Sequence, residues 1–459
     1  MRAPAQAWPE LASAVSAVAW PPLSTGLPAS VLALAQQLEH TQWLTPAELD
    51  VRQRRQLREL LAWAGVHSPH FQERLRACGS TIDALCEAGG LTALAPLSRR
   101  ELQGDLARIV SDAIPTDHQP TGQVSTSGSS GTPVTLTRTA INQMFWLAFT
   151  LRDHLWQRRD FTATLAVTRA NLKDDHALAL PDWGPPASTF FRTGPAYAMP
   201  INRAVDQQLD WLLAIGPAYF LTYPTNLAAL LDEISKRGCA LPALRQIRTI
   251  GETLAPALRE RTRAVLGVDI ADCYSSQELG IVALQCPDSA LYHLMAEGYI
   301  TELLDDDGQP CAAGAVGRVV VTDLHNFATP LIRYDIGDYA QAGPPCPCGR
   351  GLPTLRRIMG RERNMVTIRG KRHWPLMGFH RFREVAPVIQ YQLVQRSAED
   401  IDVNLVCSRR PDALEEERLG AVIRSALGYP FALRFHYFSD RIALPASGKF
   451  EEFVSLLAS

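Results

Sequence analysis

At 459 residues the chain exceeds what one hydrophobic core ordinarily supports, so two or more domains are expected. Its 46% hydrophobic and 20% charged content is that of a globular protein, and 45 basic against 47 acidic residues argue against a broadly nucleic-acid-binding surface. No stretch approaches the roughly 18 apolar residues of a membrane span, and nine cysteines, an odd number widely scattered, do not form a disulfide framework. The N-terminus carries Arg2 without a compact apolar core behind it. The expectation is a reducing, cytoplasmic setting with no secretory leader, membrane or nucleic-acid partner.

Residues 1 to 45 are Ala-, Leu- and Pro-rich and suggest no definite element. Thr45-Pro46-Ala47-Glu48 predicts a helix start: a threonine cap, proline in the first turn, and glutamate where a capping box needs it. Leu57, Leu60, Leu61 and Ala64 continue it at helical spacing. Val134–Arg138 alternates like a strand, and Ile141–Arg158 predicts a largely buried helix. Strands are then expected at Phe161–Val167, Ala218–Tyr223, Gln246–Ile250 and Val268–Cys273, with helices at Val205–Ala214, Pro224–Lys236 and Pro256–Leu266. Alternating strands and helices of this length predict a parallel or mixed sheet covered by helices, whose ligands bind where strands end.

Ile300–Leu304, Arg318–Leu324, Leu331–Tyr334 and Tyr339–Ala342 read as short strands separated by turns, a β-rich subdomain. After Gly360 a helix near Phe379–Val385, strands at Ile389–Gln395 and Asp402–Cys407, a helix at Ala413–Ala426 and a strand at Leu433–Phe438 suggest a small α+β lobe. The fold class is therefore α/β. A large N-terminal domain of residues 1–360 holds mixed and parallel sheets with the β-rich part, and a small, mobile C-terminal domain of residues 361–459 follows.

One stretch is built for an anion. Ser125-Thr126-Ser127-Gly128-Ser129-Ser130-Gly131-Thr132-Pro133 concentrates hydroxyl donors around two glycines that let backbone N–H groups turn toward phosphate, although a flexible linker has a similar composition. A Walker loop would place Lys after the last glycine, and here Thr132 follows Gly131.

Five further segments give that loop a context: Gly251-Glu252-Thr253, Tyr274-Ser275-Ser276-Gln277-Glu278, Arg333-Tyr334-Asp335-Ile336-Gly337-Asp338, Gly360-Arg361, and Ser447-Gly448-Lys449. In this order, with His67-Ser68-Pro69-His70-Phe71 and Ala95-Pro96-Leu97-Ser98-Arg99 ahead of them, they resemble the adenylate-forming enzymes, and within those the phenylacetate–CoA ligase branch. The resemblance covers roughly residues 55–459 and is specific as an ordered set.

It implies ATP-dependent activation of a carboxylic acid as an acyl-adenylate, then transfer to a thiol. It implies that Ser127, Gly128, Ser129, Ser130, Gly131 and Thr132 hold the β- and γ-phosphates, and that Gly251, Glu252, Tyr274 and Ser275 line the nucleotide pocket, with Tyr274 against the adenine. Asp338 would accept hydrogen bonds from the ribose hydroxyls, Arg361 would touch ribose or phosphate, Glu278 would bind Mg²⁺, and Lys449 would stabilise charge at the α-phosphate. A turn aspartate, a core tyrosine and a solvated lysine are the ordinary roles of such residues. The chain departs from the branch at Thr132, where lysine is common, and at Gly370-Lys371-Arg372-His373-Trp374-Pro375, near the acceptor tunnel of relatives.

Cys286, His293, Cys346 and Cys348 supply three thiols and an imidazole, a closed structural Zn²⁺ set that some members of the branch also carry. The remaining cysteines read as apolar thiols. The expected partners are a small-molecule carboxylic acid and CoA, with a carrier protein or an amine as the alternative acceptor, and a homodimer is allowed. The segment Trp183–Met199 suggests either an aromatic acid pocket or a buried loop, while Asn171–His176 suggests a polar acid. A catalytically degenerate, zinc-stapled binding module is the non-enzymatic alternative.

Overall fold

The computed structural model describes residues 11–18, 20–125, 133–169, 172, 176–374, 382–439, 442 and 450–457. The hydroxyl-rich residues 126–132 and the Ser447-Gly448-Lys449 segment therefore lie outside the described residues, as do 171 and 173–175 of the polar acid segment. The chain divides into two compact units: residues 1–254 with 258–358, and residues 359–459 with 255–257.

In the larger unit a hairpin pairs β1 (Thr121–Ser125) with β2 (Thr135–Thr139), Ser125 facing Thr135 at its open end. Twelve strands build the main sheet. They are β3 (Leu165–Arg169), β4 (Leu178–Leu180), β5 (Ala196–Pro200), β6 (Tyr219–Thr222), β7 (Gln246–Ile250), β8 (Asp269–Ser276), β9 (Gly280–Gln285), β10 (Tyr292–Leu294), β11 (Tyr299–Leu304), β12 (Val316–Asp323), β13 (Tyr334–Ala342) and β14 (Thr354–Arg361). Their order is β11-β12-β13-β14-β10-β9-β8-β7-β6-β3-β5-β4. The run β5-β3-β6-β7-β8 is parallel, and the run from β8 through β9 to β10 is antiparallel, as is the β11-β12-β13 ladder. The sheet is thus mixed, as the alternation of strands and helices predicts.

Helices Val205–Ile215 and Pro224–Arg237 bury Leu209, Leu212, Leu227, Leu230, Leu231 and Ile234 in a core with Ala166, Phe220, Ile247 and Ile270 of the parallel strands. A second core surrounds helix Ala140–Trp156, where Leu147, Ala148, Phe149 and Leu151 meet β9 residues Ile281, Val282, Ala283 and Leu284. The capping box at Thr45 forms as its sequence requires, opening helix Pro46–His67. Helix Gly26–Thr41, not anticipated from composition, buries Val31, Ala35 and Leu38 at successive turns of one face. Among the described residues no helix is long and apolar enough to cross a membrane.

Two sequence expectations need correction, and one open alternative is narrowed. Leu331–Tyr334 and Tyr339–Ala342 are not separate strands: β13 runs unbroken from Tyr334, and its Gly337-Asp338 signal marks a bulge, with Arg318 opposite Tyr339 but Val320 opposite Asp335. Tyr274, Ser275 and Ser276 lie within β8 rather than after it. Phe190 and Phe191 fill core, Phe191 stacking on Phe161 at 4.8 Å, which favours the buried-loop reading of that segment.

Helix Ala140–Trp156 also carries Asp153, whose side chain is only 3% exposed and whose Oδ2 lies 2.8 Å from Arg159 Nη1 and 2.9 Å from Arg248 Nε. Burial alone would raise this carboxyl, but the two guanidiniums outweigh it and hold it at about 2. Because the folded value is depressed, the stabilisation is present above the unfolded value of about 4 and lost as pH falls toward 2, an amount of about 2 kcal/mol. Urea unfolding from pH 5 down to 2.5 should show this loss. Asp153→Asn should start less stable, with two buried arginines uncompensated, and have a shallower slope across the same interval.

In the smaller unit β17 (Val388–Gln395), β18 (Asp400–Cys407), β19 (Ala432–Phe438) and β20 (Phe453–Ser455) form a sheet in the order β19-β18-β17-β20; a ribbon of β15 (Val366–Ile368) and β16 (Lys371–His373) precedes it in the chain. Helix Ala413–Leu427 packs Leu419 and Ile423 into a core with Leu393, Ile401, Val403, Leu405 and Phe431. This is the small α+β lobe the sequence predicts.

Candidate functional site

The site grows from the bulge in β13. Gly337 takes φ +77°, a region only glycine enters without strain, and its N–H donates to Asp335 Oδ1 at 2.9 Å. Asp335 Oδ2 is 3.0 Å from Arg318 Nη1 on the neighbouring strand, so Asp335 clamps the bulge. The bulge sets Asp338 so that its Oδ2 accepts a hydrogen bond from the Tyr274 hydroxyl at 2.9 Å. Three strands, β14, β10 and β9, lie between β13 and β8 in the sheet order, so this contact requires the sheet to curl.

The segment 95–99 is drawn in by backbone pairing. Leu97 N–H donates to the Arg333 carbonyl at 2.6 Å, and Asp335 N–H donates to the Leu97 carbonyl at 2.9 Å. Ser98 then caps the helix Arg99–Gly104 through a capping box with Glu101, placing Arg99 in its first turn. From there Arg99 Nη1 reaches Glu278 Oε1 at 2.6 Å. Glu278 is 5% exposed, in the turn between β8 and β9. Burial works against the Arg99 charge, but Tyr334 and Glu278 outweigh it and raise the guanidinium. Arg138 Nη2 and the Tyr299 hydroxyl both donate to the Leu279 carbonyl and fix this turn.

Gly251 follows β7 with φ +79°. Glu252 accepts from the Thr225 N–H at 2.9 Å and from the Thr225 hydroxyl at 2.8 Å, so its carboxylate caps helix Pro224–Arg237. Ser275 is partly buried in β8 opposite Ile281. The structure thus brings Tyr274, Ser275, Glu278 and Asp338 into one neighbourhood, with Gly251 and Glu252 at the end of the adjoining strand. Arg361 belongs to the smaller unit, where its N–H donates to Asn364 Oδ1 at 2.8 Å. Sequence reading missed the Arg99–Glu278 pair and the Thr225–Glu252 cap. The contacting positions in the first are 179 residues apart, and only the Ser98-to-Glu101 cap signal marks where Arg99 begins a helix.

The four metal-type side chains also converge. Cys286 follows β9 and His293 lies in β10, while Cys346 and Cys348 lie between β13 and β14. Short β10 shows too little alternation to read from sequence. The four ligand atoms lie within 4.8 Å of one another; Cys286 Sγ and Cys346 Sγ are 3.7 Å apart, and Cys348 Sγ is 3.3 Å from His293 Nε2. A tetrahedral Zn²⁺ with Zn–S bonds near 2.3 Å implies S···S edges of about 3.8 Å, so the donor set fits that ion. Burial pushes the Cys286 thiol up to about 12, and burial with the nearby Arg350 charge lowers His293 to about 4. A buried thiolate here needs a cation, and neutral imidazole is the form that ligates.

The fold is that of the adenylate-forming CoA ligases. A 2-hydroxyisobutyryl-CoA ligase in complex with 2-HIB-AMP superposes with a TM-score of 0.73 at 19% identity over 90% of both chains. An anthranilate CoA ligase holding anthranoyl-AMP gives 0.51 at 16% identity over 71% of this chain and 65% of that one. By sequence, the chain is similar to phenylacetate–coenzyme A ligases, which bears out the resemblance read from the motifs. That from Thermus thermophilus is 29% identical over 205 residues, 43% of this chain and 46% of the relative. The Escherichia coli enzyme is 25% identical over 205 residues, 42% and 46% of the two chains. The matches therefore span less than half the length of these curated relatives. No family model matches the chain.

Proposed function

We propose that the protein is an ATP-dependent acid–thiol ligase that forms an acyl-adenylate and then a CoA thioester. The observation that carries this reading is the Tyr274–Asp338 hydrogen bond, which joins the residues assigned to adenine and ribose, with Glu278 buried in the turn that follows Tyr274. The relatives are CoA ligases by name, and the 2-hydroxyisobutyryl-CoA ligase holds an acyl-AMP.

In the first step a carboxylate oxygen of the acid attacks the α-phosphorus of ATP. A P–O bond forms as the bond to pyrophosphate breaks. In the second a thiolate attacks the acyl carbon, a C–S bond forms, AMP departs, and the thiol proton passes to solvent. Asp338 would orient the ribose, Tyr274 would pack on the base beside the Gly251-Glu252 backbone, and Ser127–Thr132 would hold the departing phosphates. Mg²⁺ would neutralise phosphate charge and would be held through Glu278, which Arg99 positions by ion pairing. Lys449, from residues 361–459 acting as a lid, would stabilise charge developing at the α-phosphate, and Arg361 would contact ribose or phosphate.

Acid-dependent ATP–pyrophosphate exchange followed by CoA thioester formation tests the reading. Exchange without thioester, restored by a carrier protein, moves the acceptor from CoA to that carrier. ATP binding without exchange for any acid makes the protein a binding module.

Cys286, His293, Cys346 and Cys348 would hold Zn²⁺ as a structural staple, all four positions being filled by protein. The purified protein should carry about one zinc per chain. Cys348→Ser should lower that content and the melting temperature together; a variant with full stability and no zinc in either protein would overturn the assignment.

A further inference from the structure

The loop that carries Cys346 and Cys348 continues as Gly349-Arg350-Gly351, which lies on residues 42–44, the joint between helices Gly26–Thr41 and Pro46–His67. Gly351 N–H donates to the Gln42 carbonyl at 2.9 Å. A Cβ at Gly351 would stand 1.7 Å from the Leu44 carbonyl oxygen, so glycine is required for this approach. Arg350 supplies the side-chain half of the contact. Its Nε donates to Gln42 Oε1 at 2.8 Å, and its guanidinium lies 5.0 Å from the Trp43 ring centre and 4.5 Å from that of Trp156.

The same Gln42 oxygen accepts from Trp156 Nε1 at 2.9 Å, and Gln42 is fully buried. This knot reaches the four metal-type residues from both sides. The Trp156 ring meets His293 edge-on at 5.5 Å, and Arg350 Nη1 is 3.5 Å from Asp288 Oδ2, two residues beyond Cys286. The helix before the joint has a clamp of its own: Arg152 Nη2 donates to the Leu38 carbonyl at 2.7 Å, and its partner Glu297 accepts from the Thr41 hydroxyl at 2.8 Å. The contacts of the Cys-X-Cys loop therefore bear on the joint rather than on that helix.

We infer that metal occupancy at Cys286, His293, Cys346 and Cys348 controls the docking of the joint at residues 42–45, with Arg350 as the positioning residue between them. This rests on the Zn²⁺ reading of those four residues and deepens it from a staple to a coupled latch. Without the ion, no bond ties Cys346 and Cys348 to Cys286 and His293, and the turn that Gly349 closes on the Cys346 carbonyl loses its anchor. Arg350 then has no fixed base from which to hold Gln42 between the two indoles. Linkage makes the effect reciprocal: the factor by which the ion favours docking is the factor by which docking raises metal affinity.

Hydrogen exchange in peptides covering residues 38–49, zinc-loaded and after chelation, tests one direction. Chelation should speed exchange there about tenfold or more, while helix Pro224–Arg237, in a separate core, stays unchanged. Loaded Arg350→Met should already exchange fast at 38–49, and chelation should add less than about threefold, because both act through one contact. Zinc competition with a chelating dye tests the reverse direction. Gln42 is not a ligand, yet Gln42→Ala should weaken zinc affinity by about the factor by which it speeds exchange at the joint. Trp43→Leu, a milder change at a half-buried ring, gives the same reading where Gln42→Ala does not fold. Equal acceleration by chelation in the parent and Arg350→Met, or zinc affinity untouched by the joint variants, overturns the inference and leaves the zinc site standing. A protein that neither contains nor binds zinc overturns both. If chelation also speeds exchange in helix Pro224–Arg237, the whole unit has opened, and the zinc affinity of the joint variants decides.

Discussion

Arg333→Met is expected to destabilise the larger unit by about 3–5 kcal/mol, the cost of breaking a buried ion pair from one side. Arg333 is 2% exposed, and its Nε and Nη2 each lie 2.9 Å from a Glu302 oxygen. Its Nη1 donates to the carbonyls of Thr92 and Leu94. Methionine fills much of the volume but leaves Glu302 unpaired and two carbonyls without their donor. The double variant Arg333→Met/Glu302→Gln should recover part of the loss, because the stranded charge is gone. Tryptophan fluorescence in a urea titration reports on the right unit, since eight of the nine tryptophans precede residue 359. A single variant within 1 kcal/mol of the parent, on the order of a surface change, would show that the pair bears no such load.

That residue also shows where sequence reading stops. Arg333 belongs to a recognised motif, yet its side chain faces residues 92–94 and 302 rather than the site. The same motif contains two aspartates of identical composition and different work: Asp335 clamps the bulge and Asp338 meets Tyr274. Nothing local distinguishes them, because the distinction depends on a register shift against β12. Long elements with clear periodicity were legible: Gln246–Ile250 and Pro256–Leu266 have the predicted limits, and helix Ala413–Leu427 extends one residue beyond its expected end. Short strands were not, as β10 has three residues and cannot display an alternation. The cysteine–histidine set could be proposed from ligand chemistry alone, whereas the Arg99–Glu278 pair required the Leu97 backbone bridge to bring its halves together.

Asp338→Asn is expected to weaken ATP binding about a hundredfold while leaving the fold intact. The carboxylate is only partly buried, so the substitution strands no deep charge, and asparagine can still accept from the Tyr274 hydroxyl. On the ligase reading, what it would lose is charge-assisted acceptance from the two ribose hydroxyls, worth about 1.5–3 kcal/mol for each hydrogen bond to a charged group, of which the amide oxygen would retain part. Tyr274→Phe removes the hydroxyl that orients Asp338 but keeps the ring, and should cost about tenfold. The two losses should be less than additive, since both act through one hydrogen bond. Asp335→Asn separates structure from binding: it loosens the clamp between Gly337 N–H and Arg318, and should lower the melting temperature more than Asp338→Asn does. Titration calorimetry with ATP, alongside thermal melts of the same proteins, measures both quantities. If Asp338→Asn binds ATP as tightly as the parent, the curled sheet holds Tyr274 and Asp338 together for stability alone, and the nucleotide must be sought elsewhere in the larger unit.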